Sequence, residues 1–200
     1  MCHQASNGKD KDNSQTMRVI VTKIAARDDG QSCSVVGPET LDLREEPAAI
    51  ERIDAARQHP GLRGLLLNLN AEESPFSTFG CKVWATTETA EAEPSVFASR
   101  IDLVLAHRPE VRDSAQYEEL ANELAKLLER EPGDALRVEV IISPAEFAGG
   151  RQGFCLRLLV FARAVAQEQA RLRWTLGLAR VQQALLFLAR AIRQNRVSID

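Results

Sequence analysis

The sequence is poor in several features, and each shortage removes a class of protein. Aromatic side chains make up 5% of its 200 residues and only one is a tyrosine. No window of about 18 consecutive apolar residues exists, because the greasiest stretches are interrupted by Arg157, Arg163 and Arg180; a membrane-spanning helix is therefore not expected. The four cysteines, Cys2, Cys33, Cys81 and Cys155, never fall into a C-x-x-C pair, so zinc or dithiol redox spacing is missing. No metal and no cofactor is expected, and a reducing, cytoplasmic compartment is the simplest reading of that cysteine usage. No repeat of fixed period is visible. The glycine-rich Gly149-Gly150-Arg151-Gln152-Gly153 matches neither G-x-G-x-x-G nor G-x-x-x-x-G-K-[ST] and reads as a connection between two strands.

What is present is an ordinary globular composition, 44% apolar and 26% charged. A chain of this length buries roughly 70% of the surface its unfolded form exposes, enough for a core without staples. The formal charge of -3 conceals an asymmetry. Residues 1–150 carry 16 Lys+Arg against 26 Asp+Glu, a balance of -10; residues 151–200 carry 9 Arg against Glu168 and Asp200, a balance of +7. Residues 1–16 are polar, lack an apolar signal region and are expected to be a disordered tail. Cys2 within them reads as incidental rather than as an acylation site. Residues 17–200 are expected to form one domain.

Along the chain, residues 18–27 alternate with a period of two and run into Asp29-Gly30, the sequence of a type I′ turn, so a β-hairpin is predicted with residues 31–35 as its second arm. Glu46-Pro47 opens a short helix that His59-Pro60-Gly61 ends. Leu65, Leu67 and Leu69 alternate with Leu66, Asn68 and Asn70, predicting a strand, then a loop over 71–79. Further strands are predicted near 80–87 and 97–105, the latter with Arg100 and Asp102 on a solvent-facing side. Asp113 and Gln116 resemble a capping box before an amphipathic helix that stops at Glu131-Pro132-Gly133. Leu136–Ile142 alternate as a strand, and Phe154–Phe161 reads as another, although its periodicity also suits a helix. From about 162 to 193 no proline occurs and Ala, Leu, Gln and Arg dominate, which predicts one long helix.

These elements predict an α+β fold: a mainly antiparallel sheet of about seven strands, two shorter helices and a long C-terminal amphipathic helix. From residue 46 onward their order resembles that of the small α+β chaperones of type III secretion, a likeness of element order without a shared motif.

Several residue sets bear on function. In the terminal helix Trp174, Leu178, Val181, Leu185, Leu188 and Ile192 follow steps of four and three, a seam of the coiled-coil type, and with Arg173 and Arg180 on its rim they are the candidate partner-binding residues. Leu172, Leu176, Leu186 and Phe187 broaden the apolar surface beyond that seam. At about 1.5 Å per residue such a helix is roughly 45 Å long, and the extra apolar surface is expected to serve a protein partner or a second copy. The arginines 163, 171, 173, 180, 190, 193 and 196 scatter around the helix at 100° per residue, so nucleic-acid binding through it is the weaker reading, and contact with a membrane surface weaker again. Cys81 with His59 or His107 supplies the residue types of a nucleophile and base, and Asn68, Asn70 and Glu72 a polar cluster at the end of a predicted strand. No motif completes either site.

The leading expectation is a non-catalytic interaction or assembly module, adaptor-like or chaperone-like, that uses the C-terminal helix. The alternatives are a small-ligand binder or enzyme with the Cys/His or Asn/Glu residues, and nucleic-acid binding through the arginine-rich helix.

Overall fold

The computed structural model describes residues 17–24, 33–34, 41–86, 94–106, 113–130 and 136–195. In chain order these form β1 (Arg18–Lys23), β2 (Cys33–Ser34), a 3-10 turn (Pro47–Arg52), α1 (Asp54–Gln58), α2 (Pro60–Leu69), β3 (Phe76–Thr86), β4 (Ser95–Leu105), α3 (Ser114–Leu128), β5 (Leu136–Phe147), β6 (Arg151–Ala164) and α4 (Gln167–Asn195). The class is α+β. The expected tail, the turn at Asp29-Gly30, His107, Glu131-Pro132-Gly133 and Arg196 lie outside the described residues.

One sheet runs β1-β5-β6-β4-β3, with β2 also against β5. The pairs β3–β4, β4–β6 and β5–β6 are antiparallel, whereas β1 and β2 both run parallel to β5. Five long strands and a two-residue β2 therefore replace the seven mainly antiparallel strands expected. The hairpin is overturned with them. Its two arms lie in line along the same edge of β5, β1 beside Arg137–Ile142 and β2 beside Ala145–Glu146, both pointing the same way. An Asp-Gly turn is a local signal, and both arms pair with the long strand β5 instead of with each other.

The expected strand at 65–70 is a helix. Leu62, Leu65, Leu66 and Leu69 of α2 are all buried, at spacings of three and four, so the leucine run satisfies a helical period as well as an alternating one. Pro60 sits in the first turn of α2, where a missing N–H costs nothing; it begins the helix instead of closing the preceding one. Only two strands then separate α2 from α3, and the resemblance to type III secretion chaperones in element order is lost. The loop expected over 71–79 ends at Phe76, where β3 begins.

Elsewhere the pattern holds. Asp113 caps α3 by accepting from the Gln116 N–H at 3.0 Å. Residues 154–161 are strand, within a 14-residue β6. The β5–β6 connection at Ala148–Gly150 has Gly149 at φ 77° and Gly150 at φ 74°, backbone conformations that explain the two glycines without any phosphate. The long helix begins at Gln167, not 162, because β6 continues to Ala164.

All four helices pack on one side of the sheet. That side is lined by Phe97, Ile101 and Leu103 of β4, Leu136, Val138 and Val140 of β5, and Leu156, Leu158 and Val160 of β6, all buried in the main core. Helix α4 crosses the middle of the sheet between α2 and α3. Tyr117 of α3 is fully buried, and its hydroxyl accepts from the Leu105 N–H at 3.2 Å. Among the described residues no helix lies on the other side, where a smaller cluster of Val104, Ala145, Phe147 and Cys155, with Phe79 against it, closes one end. Arg100 and Asp102 are on this side as expected. Asp102 does not meet solvent; it is buried between Arg100 and Arg157.

Candidate functional site

The seam of α4 turns inward. Trp174, Leu178, Val181, Leu185 and Leu188 are all buried and Ile192 is partly so, packed on the same core. Each such side chain contributes about 1.5–3 kcal/mol by leaving water, which is stability drawn from the chain's own sheet. In this structure these residues are not a surface, so the expectation that they meet a partner is corrected: the seam is satisfied within the chain. Of the rim arginines, Arg173 is exposed and its Nη1 donates to the Arg163 carbonyl at 2.7 Å, while Arg180 is half-buried.

The opposite face of the same helix stays in solvent. Leu172, Leu176 and Phe187 are 63%, 53% and 59% exposed, and at 100° per residue they fall with Ala179 and Gln183 within one stripe. Leu172 and Phe187 stand 15 residues apart, about 22 Å along the axis. Val165, just before the helix, is 92% exposed.

At its N-terminal end the stripe borders a cleft of about 690 Å³ whose walls include His59, Pro60, Ala166, Arg171, Leu172 and Trp174. An aromatic cluster supports it. The His59 ring stands edge-on to Trp174 at 5.0 Å and to Phe97 at 5.5 Å, and Phe97 lies 4.9 Å from Trp174. Burial lowers the His59 pKa, and the neighbouring Arg171 charge lowers it further.

A second depression of about 590 Å³ shares His59 and Arg171 with the first and reaches Cys81 on β3. The structure thus brings together one expected nucleophile–base pair along a wall, but with the wrong electrostatics. Burial pushes the Cys81 thiol up to about 11, the Asp102 carboxylate adds to the rise and Arg100 only partly opposes it. A cysteine nucleophile requires a stabilised thiolate beside an imidazolium, and here the thiol is held protonated and the imidazole neutral.

The Asn/Glu cluster is likewise structural. Asn70 is buried at the C-terminus of α2, donating from Nδ2 to the Leu66 carbonyl and to Thr78 Oγ1 while its Oδ1 accepts from the Thr78 N–H. Asn68 faces solvent and so does Glu72, whose backbone carbonyl accepts from Arg44, as do those of Ala71 and Ser74. The polar residues that looked like a site hold the α2–β3 turn in place. Among the described residues no group of three metal-ligating side chains occurs, and no helix is long and apolar enough to cross a membrane.

The second surface is the helix-free side of the sheet. One row across it reads Arg18, Arg137, Phe161, Ala98 and Trp84, and the next Ile20, Glu139, Leu159, Arg100 and Lys82. Trp84 and Phe161 meet edge-to-face at 6.1 Å across the small Ala98, and the Arg137 guanidinium lies 5.9 Å from the Phe161 centroid. Sequence reading missed this surface because its members come from five strands that only the topology brings side by side. No protein-family model, curated protein or solved structure matches the chain.

Proposed function

We propose that the chain is a non-catalytic interaction module that assembles with a second copy of itself through the outward stripe of α4. The observation that carries this reading is a helix apolar on both faces: one face fills the core, and the other leaves Leu172, Leu176 and Phe187 more than half exposed. A two-fold contact is self-complementary, and the stripe suits one. Two such helices set antiparallel about Ala179 and Arg180 place Leu172 against Phe187 of the second copy and Leu176 against Gln183. The same arrangement brings Glu168, at the N-terminal end, near Arg190 of the second copy.

The energy scale supports weak association. Burying the exposed remainder of three large apolar side chains contributes about 1–2 kcal/mol each, hence about 6–12 kcal/mol for six across a symmetric contact. Association costs about 4–15 kcal/mol. The balance gives micromolar or weaker affinity, to which Val165 and the cleft beside Leu172 add area.

Sedimentation velocity from low to high micromolar concentration tests this. The expected result is a sedimentation coefficient that rises with concentration in the parent and stays monomeric in Leu172→Glu and Leu176→Glu. Both positions are exposed, so these variants should melt like the parent. A monomer at every concentration rejects self-association. A charged residue at Leu178 or Leu185 would not serve, since those side chains are core.

A further inference from the structure

We propose that the helix-free face of the sheet binds single-stranded nucleic acid, its basic side chains taking the phosphates and Trp84 and Phe161 the bases. The strand register places seven basic residues on this face: Arg18, Lys82, Arg100, Arg137, Arg157 and Arg163, with Arg151 at its far end. Among the described residues two carboxylates stand against them on these rows, Asp102 and Glu139. This surplus of positive charge among the described residues sits on a protein whose net charge is -3, so the rest of the molecule repels the polyanion that this face attracts.

The arrangement is costly to the sheet itself. Arg18 lies directly opposite Arg137, and Lys82 directly opposite Arg100. Like charges in facing cross-strand positions destabilise a sheet, and two such pairs on one face are what an anionic ligand would relieve. The carboxylates present do not compensate fully. Asp102 is taken by Arg100 and Arg157, and Glu139 by one end of Arg137, whose Nε is buried without an acceptor.

Charge alone would equally suit an acidic peptide; the aromatic pair favours bases. Trp84 and Phe161 are half-exposed in one row, Phe161 on the middle strand and Trp84 on the edge strand β3, with only Ala98 between them and guanidinium from Arg137 at the Phe161 ring. A flat surface offering π faces among arginines is how sequence-tolerant single-strand binders hold bases. A duplex conceals its bases and presents only phosphate.

The test uses the full chain and fluorescein-labelled twelve-nucleotide oligo-dT and oligo-U, read by anisotropy. Saturable binding is expected, falling about 50-fold between 50 and 200 mM salt if about four phosphates are neutralised on a single strand. Indole emission should be quenched on binding, and the quench should vanish in Trp84→Phe. Lys82→Glu combined with Arg163→Glu, both exposed, should lower affinity by about tenfold or more while melting like the parent. A preference for oligo-U over oligo-dT, or the reverse, identifies the strand chemistry within the proposal. The proposal is overturned by no binding at 50 mM salt, by affinity unchanged in the double variant, by a duplex bound as tightly as the single strand, or by poly-glutamate displacing the oligonucleotide at equal charge concentration. None of these readouts depends on the α4 stripe, so they fail or succeed independently of self-association.

Discussion

The Trp174 indole Nε1 donates to Ser99 Oγ at 2.9 Å, joining the middle of the fold across 75 residues. Both partners are buried, Trp174 at 1% and Ser99 at 0% exposure, so neither has water to fall back on. Ser99→Ala leaves the indole N–H without an acceptor and should cost about 1–3 kcal/mol in urea unfolding. Trp174→Phe leaves the serine unpaired and opens space beside His59 and Phe97. The double variant should be less damaged than the sum of the singles by at least about 0.5 kcal/mol, since the orphaned group is removed with its partner. Strict additivity would mean that the bond carries no net stability.

Helix α4 approaches the sheet closely at Gly177. A Cβ there would stand 3.0 Å from Leu136 Cδ2 and 3.3 Å from Val160 Cγ1. Glycine inside a helix ordinarily costs about 1 kcal/mol relative to alanine, so Gly177→Ala would stabilise an open position by that amount. Here overpacking opposes the gain by about 1–3 kcal/mol, and Gly177→Leu should destabilise strongly. Shortening Leu136 to alanine should restore the benefit of Gly177→Ala. If Gly177→Ala raises the melting temperature in the parent background, the contact is looser than its geometry implies.

The parts of this fold legible in the sequence are those whose patterns are long and consistent with one element only. Tyr117 to Leu128 recur at helical spacing with a cap in front, and α3 follows that pattern. Leu136, Val138, Val140 and Ile142 alternate, and β5 carries them on one face. Leu65 to Asn70 fit two periods at once, so their alternation does not separate strand from helix, and Pro60 starts a helix as readily as it ends one. Parallel pairing of β1 with β5 left no local trace, because its partner is more than a hundred residues away. The seam of α4 was legible as a seam, but periodicity alone does not say whether sheet or partner fills it. The basic face of the sheet was hidden for the same reason as the pairing: Arg18 comes beside Arg137, and Lys82 beside Arg100, only through strand order.

Asp102 is the pivot of the helix-free face. Its Oδ1 meets Arg157 Nε at 2.7 Å and its Oδ2 meets Arg100 Nε at 3.1 Å, with the carboxylate side chain 4% exposed. Gly80 makes room for it, since a Cβ there would come within 3.0 Å of Oδ2. Removing one partner of a buried ion pair costs about 3–5 kcal/mol because the other charge is stranded. Arg100 and Arg157 reach solvent in part, so Asp102→Ala should cost less, about 2–4 kcal/mol, with Asp102→Asn intermediate. Chemical denaturation measures both, and a loss below about 1 kcal/mol would show that the arginines rehydrate freely.

His59 gives the fold a pH dependence whose sign follows from its surroundings. Burial against Phe97 and Trp174, with Arg171 alongside, holds its pKa below the ordinary value of 6.5. Below pH 6.5 the unfolded chain therefore takes up a proton that the folded chain resists, and stability falls as the pH is lowered through that window. The loss stops once the pH passes below the folded pKa. Because the ring is partly open to solvent, the slope should lie well under the limit of about 1.4 kcal/mol per pH unit for one proton. His59→Gln should flatten the difference in stability between pH 6.5 and 5 while leaving it little changed at pH 8. Comparing variant with parent at each pH cancels the carboxylates and the other two histidines, and an unchanged pH profile would place the effect elsewhere.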